Sequence, residues 1–420
     1  MRSLLDEDRV WHEKEVDEGL VGRTREELNS SSVFARVVSR RYGEGVERAR
    51  LIPGYIDGLP EKAFHSPDDL PDIEPAVDRI IEALEKEQDV FIHGDFDVDG
   101  LSSSALVYRG IRGVQDLPGP GKVKVDVGSR NVGHGISRNV SARLLEEDFD
   151  LLITTDCGVR GMDEISHLQN FGVDVVVTDH HEPAEDLPPA VAVVDPKRED
   201  SSYPNPYLAG AGVAFKVIRH LRDELGLEAE GGKGLLQLAA LGTVSDLVPF
   251  IVDGEDENRW LVRSGLEEVG KDPITGISAL LGETGQSENG LTPETVSYRL
   301  APKLNSANRV GDPQVSFLLL ATENEDRAAH LAKTLIDYDR DRSRLQKKLL
   351  RSAREKLSNR GFDPDEENLI FVSGEDWNHG IIGLIASRLS SRFGLLAVAV
   401  SRERTKVRGS VRGVAGMSVI

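Results

Sequence analysis

The chain has 420 residues, 39% of them hydrophobic, which predicts two or three domains, and no apolar run approaches the roughly 20 residues of a membrane span. The charged N-terminus lacks the apolar stretch of a signal peptide, and the single cysteine, Cys157, excludes an intramolecular disulfide and a cysteine-built zinc site, so we expect a cytoplasmic protein. A formal net charge of −21 excludes a uniformly basic surface, so a nucleic-acid partner would need basic residues gathered in a groove.

The first 89 residues predict a helical N-terminal preface. Residues 19–43 and residues 73–88 carry apolar side chains at helical spacing, and a stretch rich in Pro, Gly and Asp separates them. We therefore expect helices, and no strand, before residue 90.

From Val90 the pattern changes to short apolar runs that alternate with amphipathic stretches. Runs rich in Val, Ile and Thr predict five strands, at residues 89–95, 121–130, 150–158, 173–181 and 190–196. The stretches between them predict helices, at residues 102–112, 136–148 and 161–172. This alternation predicts an α/β fold with a largely parallel sheet and helices on both faces. A helical block follows, so we expect one catalytic domain over residues 90–324.

The segment from Glu325 to Leu357 is long, charged and free of Pro and Gly, and it predicts a connecting helix over residues 325–360. A second α/β pattern then covers residues 361–420. Because the chain stops inside that pattern, we expect an incomplete second α/β domain.

Acidic residues, one group with histidines, follow four of the five predicted strands. They are His93, Asp95, Asp97 and Asp99 around the first, Asp156, the group Asp179, His180 and His181, and Asp195. The carboxyl ends of parallel strands meet at one rim of a sheet, so most of these side chains should converge. Carboxylates with imidazoles predict a site for manganese or magnesium, as one ion or a pair.

Simpler explanations account for these acids less well. The sequence "DFDVDG" matches the start of a calcium-binding EF-hand loop, but position twelve is Leu106 and an apolar strand precedes the loop where a helix belongs. An aspartyl-phosphate mechanism would leave the two adjacent histidines unexplained. A single acid after a strand is usually a turn or helix cap, and we favour that structural role for Asp195.

Three segments, "HGDFDVDG", "TTDCGVRG" and "VTDHHEP", resemble the successive motifs of the DHH phosphoesterases. The segments "LAALGTVSDLVPF" and "RLAPKLNSANRVGDP" resemble the RecJ branch of that family, whose members are single-strand-specific exonucleases. The resemblance covers nearly the whole chain. It implies a DHH domain, a long connecting helix and a DHH-associated domain. The family's associated domain continues beyond the motifs present here, so we expect a C-terminally truncated chain.

The resemblance implies two metal ions, Mn²⁺ or Mg²⁺. The implied ligands are His93, Asp97 and Asp156 for one ion, and Asp99, Asp156, His180 and Asp246 for the other. Asp156 would bridge the two. His181 would act on the scissile phosphate, Asp179 would orient a neighbouring imidazole, and Asp95 would support the site through hydrogen bonds or water.

The resemblance also implies contacts to nucleic-acid phosphates. The candidates are Arg130, His134, Asn305, Arg309, Ser410 and Arg412. We expect Asn305 and Arg309 in a loop rich in Pro and Asn, and Ser410 and Arg412 in a "GS-x-R" element. The family usually has an aromatic residue at His134 and a small residue at Asn308, so this chain departs from its pattern at both positions.

The function implied is metal-dependent hydrolysis of single-stranded DNA from the 5′ end, in repair or recombination and alongside replication or repair proteins, with no membrane and no disulfide-linked partner. Two alternatives stay open: cleavage of short RNA or dinucleotides, and a non-catalytic scaffold at a replication fork. The intact ligand set argues against the scaffold. Arginine outnumbers lysine while acids dominate, a balance typical of proteins adapted to high salt.

Overall fold

The computed structural model describes residues 15–27, 31–42, 64–114, 117–130, 133–227, 232–251, 256–404 and 406–414. The chain forms two compact units, Met1–Phe64 with Asp253–Asp256 and His65–Val252 with Glu257–Ile420. The smaller unit contains helices α1 (Glu18–Glu27) and α2 (Ser32–Tyr42). They pack through buried side chains that include Leu20, Val21 and Ala35. The stretch that separates the two predicted helical segments of the preface lies mainly outside the described residues.

The larger unit is built on a five-stranded parallel sheet. Its strands are β1 (Val90–Gly94), β2 (Val123–Val127), β3 (Leu151–Thr155), β4 (Asp174–Thr178) and β5 (Ala192–Val194), in the order β2-β1-β3-β4-β5. All five predicted strands are therefore present and parallel, as the α/β pattern predicts. The central strands are buried on both faces, which explains their nearly continuous apolar sequences.

Helices lie on both faces of this sheet. The longer helices of this unit up to residue 324, not all of which contact the sheet, are α3 (Ile73–Glu85), α4 (Val98–Arg112), α5 (Arg138–Leu144), α6 (Met162–Asn170), α7 (Gly210–Glu224), α8 (Leu235–Ser245), α9 (Glu257–Lys271), α10 (Thr275–Thr284), α11 (Ala301–Val310) and α12 (Gln314–Ala321). On one face α5 and α6 pack over a core that includes Phe91, Leu152 and Val175. On the other, α3, α4 and α7 contact the strands. Helix α3, which the sequence places in the preface, lies in this unit.

The direction in which strands are added to the sheet reverses between β1 and β3. The chain passes from β1 to β2 on one side and then places β3 on the other side of β1. Such a reversal opens a crevice beyond the carboxyl ends of the two strands, where ligands bind in open α/β sheets. Residues Asp95 and Asp156, which directly follow β1 and β3, therefore face one another across this crevice.

A long helix and a second sheet complete the larger unit. Helix α13 (Glu325–Asn359) has 35 residues and is roughly 52 Å long. It leads into strand β6 (Leu369–Glu375), helix α14 (His379–Phe393), and strands β7 (Leu396–Arg402) and β8 (Val407–Arg412). Strands β6 and β7 are parallel and β8 is antiparallel to β7. None of the helices in the described part of the chain is long and apolar enough to cross a membrane.

A buried ion pair joins two helices behind the sheet. The Nζ atom of Lys216 and the carboxylate of Glu257 contact one another with both side chains fully buried. Tyr203 donates its hydroxyl hydrogen to Glu257 at 2.8 Å, and the amide of His65 donates to the same carboxylate at 3.0 Å. Burial lowers the pKa of Lys216 to about 8, although Glu257 opposes this shift.

We expect Glu257→Leu to lower the free energy of unfolding by about 3–5 kcal/mol, because it leaves the Lys216 ammonium buried without its counter-charge. The double variant Lys216→Met/Glu257→Leu should lose less, since it removes both charges. Urea denaturation of Glu257→Leu, Lys216→Met and the double variant measures the coupling free energy between the two side chains. Strictly additive losses would show that the pair does not act as a unit.

Candidate metal centre

The turn after β1 places three carboxylates in different surroundings. Asp97 caps helix α4, and its Oδ1 accepts hydrogen bonds from the amides of Asp99 at 2.9 Å and Gly100 at 3.2 Å. Asp99 lies in the first turn of that helix and is 1% exposed. A Cβ at Gly100 would come within 2.4 Å of the backbone oxygen of Asp95, so only glycine allows this tight turn. The three acids are thus directed to separate positions around the crevice.

The N-terminus of helix α7 holds the Asp99 carboxylate. The amide of Gly210 donates to Oδ2 at 2.7 Å, and the amide of Ala211 donates to Oδ1 at 2.9 Å. These amides satisfy helix-end donors and fix the carboxylate, while each oxygen keeps a further lone pair. Asp99 is therefore oriented by a part of the chain more than a hundred positions away.

Asp156 lies at the centre of the acidic residues. Its backbone adopts a left-handed conformation with φ = 59°, which is uncommon for a residue with a side chain and concentrates at functional sites. Its carboxylate belongs to one group with Asp95 and Asp97, and to another with His180 and His181. Within each group, one ligand atom per residue lies within 4.8 Å of the others. Asp156 therefore contributes a candidate ligand atom to both groups.

A third group consists of Asp99, His180 and Asp246. The Nε2 atom of His180 lies 3.0 Å from Asp156 Oδ1, 3.8 Å from Asp99 Oδ2 and 3.8 Å from Asp246 Oδ2. Burial, and next the charge of His181, lowers the pKa of His180 to about 4. The imidazole is consequently neutral at pH 7, which leaves a nitrogen lone pair available to a metal.

Three buried atoms at the centre of this arrangement lack hydrogen bonds. They are Asp95 Oδ1, Asp156 Oδ1 and His180 Nε2; the last two lie 3.0 Å apart but form no hydrogen bond, and all three belong to the groups around the crevice. Burial and neighbouring carboxylates raise the pKa of Asp97, and raise those of Asp99 and Asp156 well above the usual value. Buried polar atoms without partners are costly, so their convergence indicates that a bound cation completes the site. Oxygen donors with a single imidazole nitrogen suit Mn²⁺ or Mg²⁺.

Two predicted site residues, one of them a predicted ligand, are placed differently from the expectation. Asp95, expected to act through hydrogen bonds or water, lies in the same group as Asp97 and Asp156. His93 is in none of the three groups found among the described residues, and its Nδ1 lies 3.1 Å from Asp126 Oδ2. Asp126 was missed from the sequence because it lies inside β2, and no local pattern relates it to His93.

Asp179 and His181 form a hydrogen-bonded pair at the edge of the metal groups. His181 Nδ1 donates to Asp179 Oδ1 at 2.7 Å, and the amide of Val159 donates to Asp179 Oδ2 at 2.9 Å. The hydrogen bond that His181 donates to Asp179 raises the pKa of His181 to about 9. His181 is half exposed, so the structure holds a protonated imidazole between the buried carboxylates and solvent.

We expect Asp179→Asn to lower the pKa of His181 towards the ordinary value, because asparagine removes the negative charge and keeps only one of the two oxygens that accept backbone amides. At pH 8 the imidazolium fraction in the metal-free protein should fall from about nine-tenths to about 3%. Proton NMR titration of the imidazole measures this change, and His181→Asn identifies the resonance. An unchanged midpoint would show that Asp179 does not hold the proton.

The predicted phosphate contacts divide into two groups. One cavity of about 310 Å³ is lined by Arg130, Arg309, Ser410 and Arg412, together with residues of helix α14. We name it the arginine cavity. Burial, and next Arg130, lowers the pKa of Arg309 to about 10. Mutual repulsion of guanidinium groups is relieved by an anion, so this cavity fits a phosphate.

The other two candidates lie elsewhere. His134 Nδ1 lies 3.1 Å from Asp95 Oδ2, beside the metal groups. Asn305 accepts a hydrogen bond from Asn308 at 3.3 Å and does not line the arginine cavity. The expected loop around Asn305 and Arg309 is wrong: both lie in helix α11, because Pro302 occupies its first turn, where a missing amide hydrogen is tolerated.

Two further residues near the centre were not predicted. Lys197 and Arg160 line a cavity of about 560 Å³ together with Asp156, Asp179 and His181. Lys197 follows Asp195, whose Oδ1 accepts its amide at 2.8 Å, in keeping with the turn expected there. The only signal in the sequence was a basic residue close behind a strand that ends at the crevice.

Comparison with known proteins gives a consistent result. The model of the DHH family, N-terminal domain, matches residues 89–243. The single-stranded-DNA-specific exonuclease RecJ of Bacillus subtilis (strain 168) is 30% identical over 414 residues, which are 97% of this chain and 50% of the relative. That of Escherichia coli (strain K12) is 31% identical over 361 residues, 82% of this chain and 61% of the relative. The chain thus spans about half to two thirds of the length of these curated relatives.

Solved structures show the same similarity. The crystal structure of exonuclease RecJ bound to manganese shares 29% identity and a TM-score of 0.72, and the match covers 83% of this chain and 84% of that one. RecJ in complex with Mn²⁺ from Thermus thermophilus shares 26% identity and a TM-score of 0.76, covering 96% of this chain and 55% of that one. The fold described above is therefore the fold of these proteins.

Proposed function

From the match of residues 89–243 to the DHH family, we propose that the chain is a metal-dependent exonuclease. It hydrolyses phosphodiester bonds of single-stranded DNA from the 5′ end and uses two ions of Mn²⁺ or Mg²⁺. The observation that carries the proposal is the set of buried, unpartnered donor atoms that converge around Asp156. A cytoplasmic location and a role in repair or recombination belong to the same proposal.

The proposed ligands fall into two sets that share Asp156. Asp95 and Asp97 would hold one cation, and Asp99, His180 and Asp246 would hold the other. Metal ions held by these residues would supply a hydroxide near neutral pH and neutralise the phosphodiester oxygens. We leave His93 outside both sets, because it is in none of the groups of ligand atoms found among the described residues.

The remaining side chains act on the substrate directly. His181, held in its protonated form by Asp179, faces the same cavity as Asp156 and would donate a hydrogen bond to the phosphate as negative charge develops there. Arg309 and Arg412 would bind a neighbouring phosphate in the arginine cavity. This cavity supplies the local basic groove that a chain of net charge −21 needs for a polyanionic substrate.

Digestion of end-labelled strands tests the proposal. We expect single-stranded DNA labelled at either end to be degraded with Mn²⁺ or Mg²⁺, with release of a 5′ label before a 3′ label, and no degradation in EDTA. End-labelled single-stranded RNA and duplex DNA of the same length are digested in parallel to define the substrate class. Degradation of RNA alone would move the function to an oligoribonuclease, and equal activity with and without EDTA would contradict the metal centre.

A further inference from the structure

A second basic cavity lies at the opposite end of helix α4 from the metal centre. It measures about 560 Å³, and its lining, among the residues that the structure describes, includes Arg109, Arg112, Arg222, Lys233 and Arg327 but a single acid, Glu323. The chain as a whole has 72 acidic residues against 51 Lys and Arg, so five bases to one acid is the reverse of its overall composition. We name it the distal cavity.

Distance separates the distal cavity from the catalytic crevice. Asp97 caps the N-terminus of helix α4, and Arg109 and Arg112 lie in its last turn. The helix has 15 residues and is therefore roughly 22 Å long. A ligand in the distal cavity is consequently not the phosphate that is hydrolysed.

Two of the basic groups in this cavity, Arg109 and Arg112, are held in place but incompletely paired. The Arg109 side chain is 10% exposed; it donates to the backbone oxygen of Ala321 at 3.3 Å and lies 3.4 Å from Glu323, while its buried Nε lacks a partner. Burial lowers the pKa of Arg109. Arg112 lies over the ring of Tyr108, 5.5 Å from its centroid, and no acidic partner is found for it among the described residues.

An aromatic cavity adjoins the basic one. It measures about 250 Å³, and it shares Tyr108, Ala321, Thr322 and Arg327 with the distal cavity. Phe317 also lines it, and its ring packs edge to face against that of Tyr108, with 5.8 Å between the centroids. Guanidinium groups next to a space lined by aromatic and aliphatic side chains match the two halves of a nucleotide, a phosphate and a base.

We propose that the distal cavity and the adjoining aromatic cavity together form a second, non-catalytic nucleotide site, in which Arg109, Arg112 and Arg327 bind the phosphate and Tyr108 and Phe317 contact the base. The nucleotide is either a free mononucleotide or a terminal nucleotide of a strand, since both present the same groups. This site does not depend on the proposed hydrolysis, because it shares no side chain with the metal groups or the arginine cavity.

Calorimetric titration in EDTA tests the site without any hydrolysis. The probes are dAMP, inorganic phosphate and an eight-nucleotide oligo(dT), added to wild-type protein and to Arg112→Gln and Arg327→Gln. Both replaced side chains are at least partly exposed, so folding should survive. Arg354→Gln is the matched control, because it removes the same charge from an exposed position farther along helix α13. Arg412→Gln tests whether the probes bind in the arginine cavity and not in the distal cavity.

We expect dAMP or the oligonucleotide to bind wild-type and Arg354→Gln protein alike, at least tenfold more weakly to Arg112→Gln and Arg327→Gln, and more tightly than inorganic phosphate does. Preference for dAMP would identify a free mononucleotide as the ligand, and preference for oligo(dT) a strand terminus. Absence of binding, loss of binding in Arg412→Gln alone, or equal affinity in Arg112→Gln and Arg327→Gln to that of wild type would overturn the proposal.

Discussion

Asp156→Asn is expected to slow hydrolysis of single-stranded DNA by about 10³-fold or more, equivalent to about 4 kcal/mol of transition-state stabilisation. In the proposed ligand sets both cations share Asp156, so its loss weakens each set. Asparagine is the appropriate replacement because it tolerates the left-handed backbone that this position adopts. The rate of nucleotide release from a 5′-labelled strand in Mn²⁺ measures the effect.

The same substitution should raise the stability of the metal-free protein, although it slows hydrolysis. Burial and the neighbouring acids raise the pKa of Asp156 in the folded state. The folded protein therefore prefers the protonated carboxyl, and the stability it gains at low pH is lost as the pH rises through that raised pKa. Asparagine is neutral at every pH, so in EDTA at pH 7 we expect a higher Tm for Asp156→Asn than for wild type.

Added Mn²⁺ should reverse this order, because a ligand that binds only the folded state stabilises it by mass action. Wild-type Tm should rise with Mn²⁺ concentration, and that of Asp156→Asn should rise much less. Asp174→Asn is the matched control, since Asp174 begins β4 at the opposite end of the sheet and pairs with Arg79 at a partly exposed position. An Asp156→Asn protein that keeps both its activity and its response to Mn²⁺ would contradict the bridging role.

The sheet could be predicted because its strands are buried on both faces. Runs such as "LLITT" and "DVVVT" are apolar without alternation, and the amphipathic stretches between them left a parallel arrangement as the simplest explanation. Helix α3 was assigned to the preface because its sequence shows where a helix forms but not what the helix packs against. Its contacts with β5 and α7 decide that, and they depend on residues far along the chain.

The proposed metal ligands were recognisable for a similar reason. Acids that follow parallel strands meet at one edge, so Asp97 and Asp156 could be paired from the sheet alone. Asp246 follows a helix instead, and only the family motif suggested it; the structure brings it to His180 because helix α8 ends at the crevice. The arginine cavity depends on three distant segments, and no single segment predicts that Arg130, Arg309 and Arg412 converge.

The glycines next to the carboxylates have no reactive side chain, and their role could not be predicted from the sequence. A Cβ at Gly242, in helix α8, would lie 2.3 Å from Asp99 Oδ1 and 2.4 Å from the Cβ of Ala211. A Cβ at Gly210 would lie 2.7 Å from that of Asp156. Both glycines thus allow helices to approach the buried acids closely enough for backbone amides to hold them.

We therefore expect Gly242→Ala to weaken Mn²⁺ binding and slow hydrolysis by about 100-fold, the upper range for groups that orient metal ligands. The added methyl displaces the Asp99 carboxylate and the amide of Ala211 that donates to it. Overpacking should also lower the free energy of unfolding by about 1–3 kcal/mol. Rates measured over a range of Mn²⁺ concentrations separate the two effects, because excess metal restores affinity losses but not misplaced geometry.

Gly282→Ala provides the control for the same substitution in a helix. A Cβ there meets no atom within 4 Å, so the alanine should leave hydrolysis unchanged and raise stability by about 0.4–1 kcal/mol through the unfolded state. If Gly242→Ala instead behaved like Gly282→Ala, with wild-type Mn²⁺ affinity and rate, Asp99 could not be a ligand held by its close contact with α8. The second cation would then depend on His180 and Asp246 without it, because these two residues complete its group.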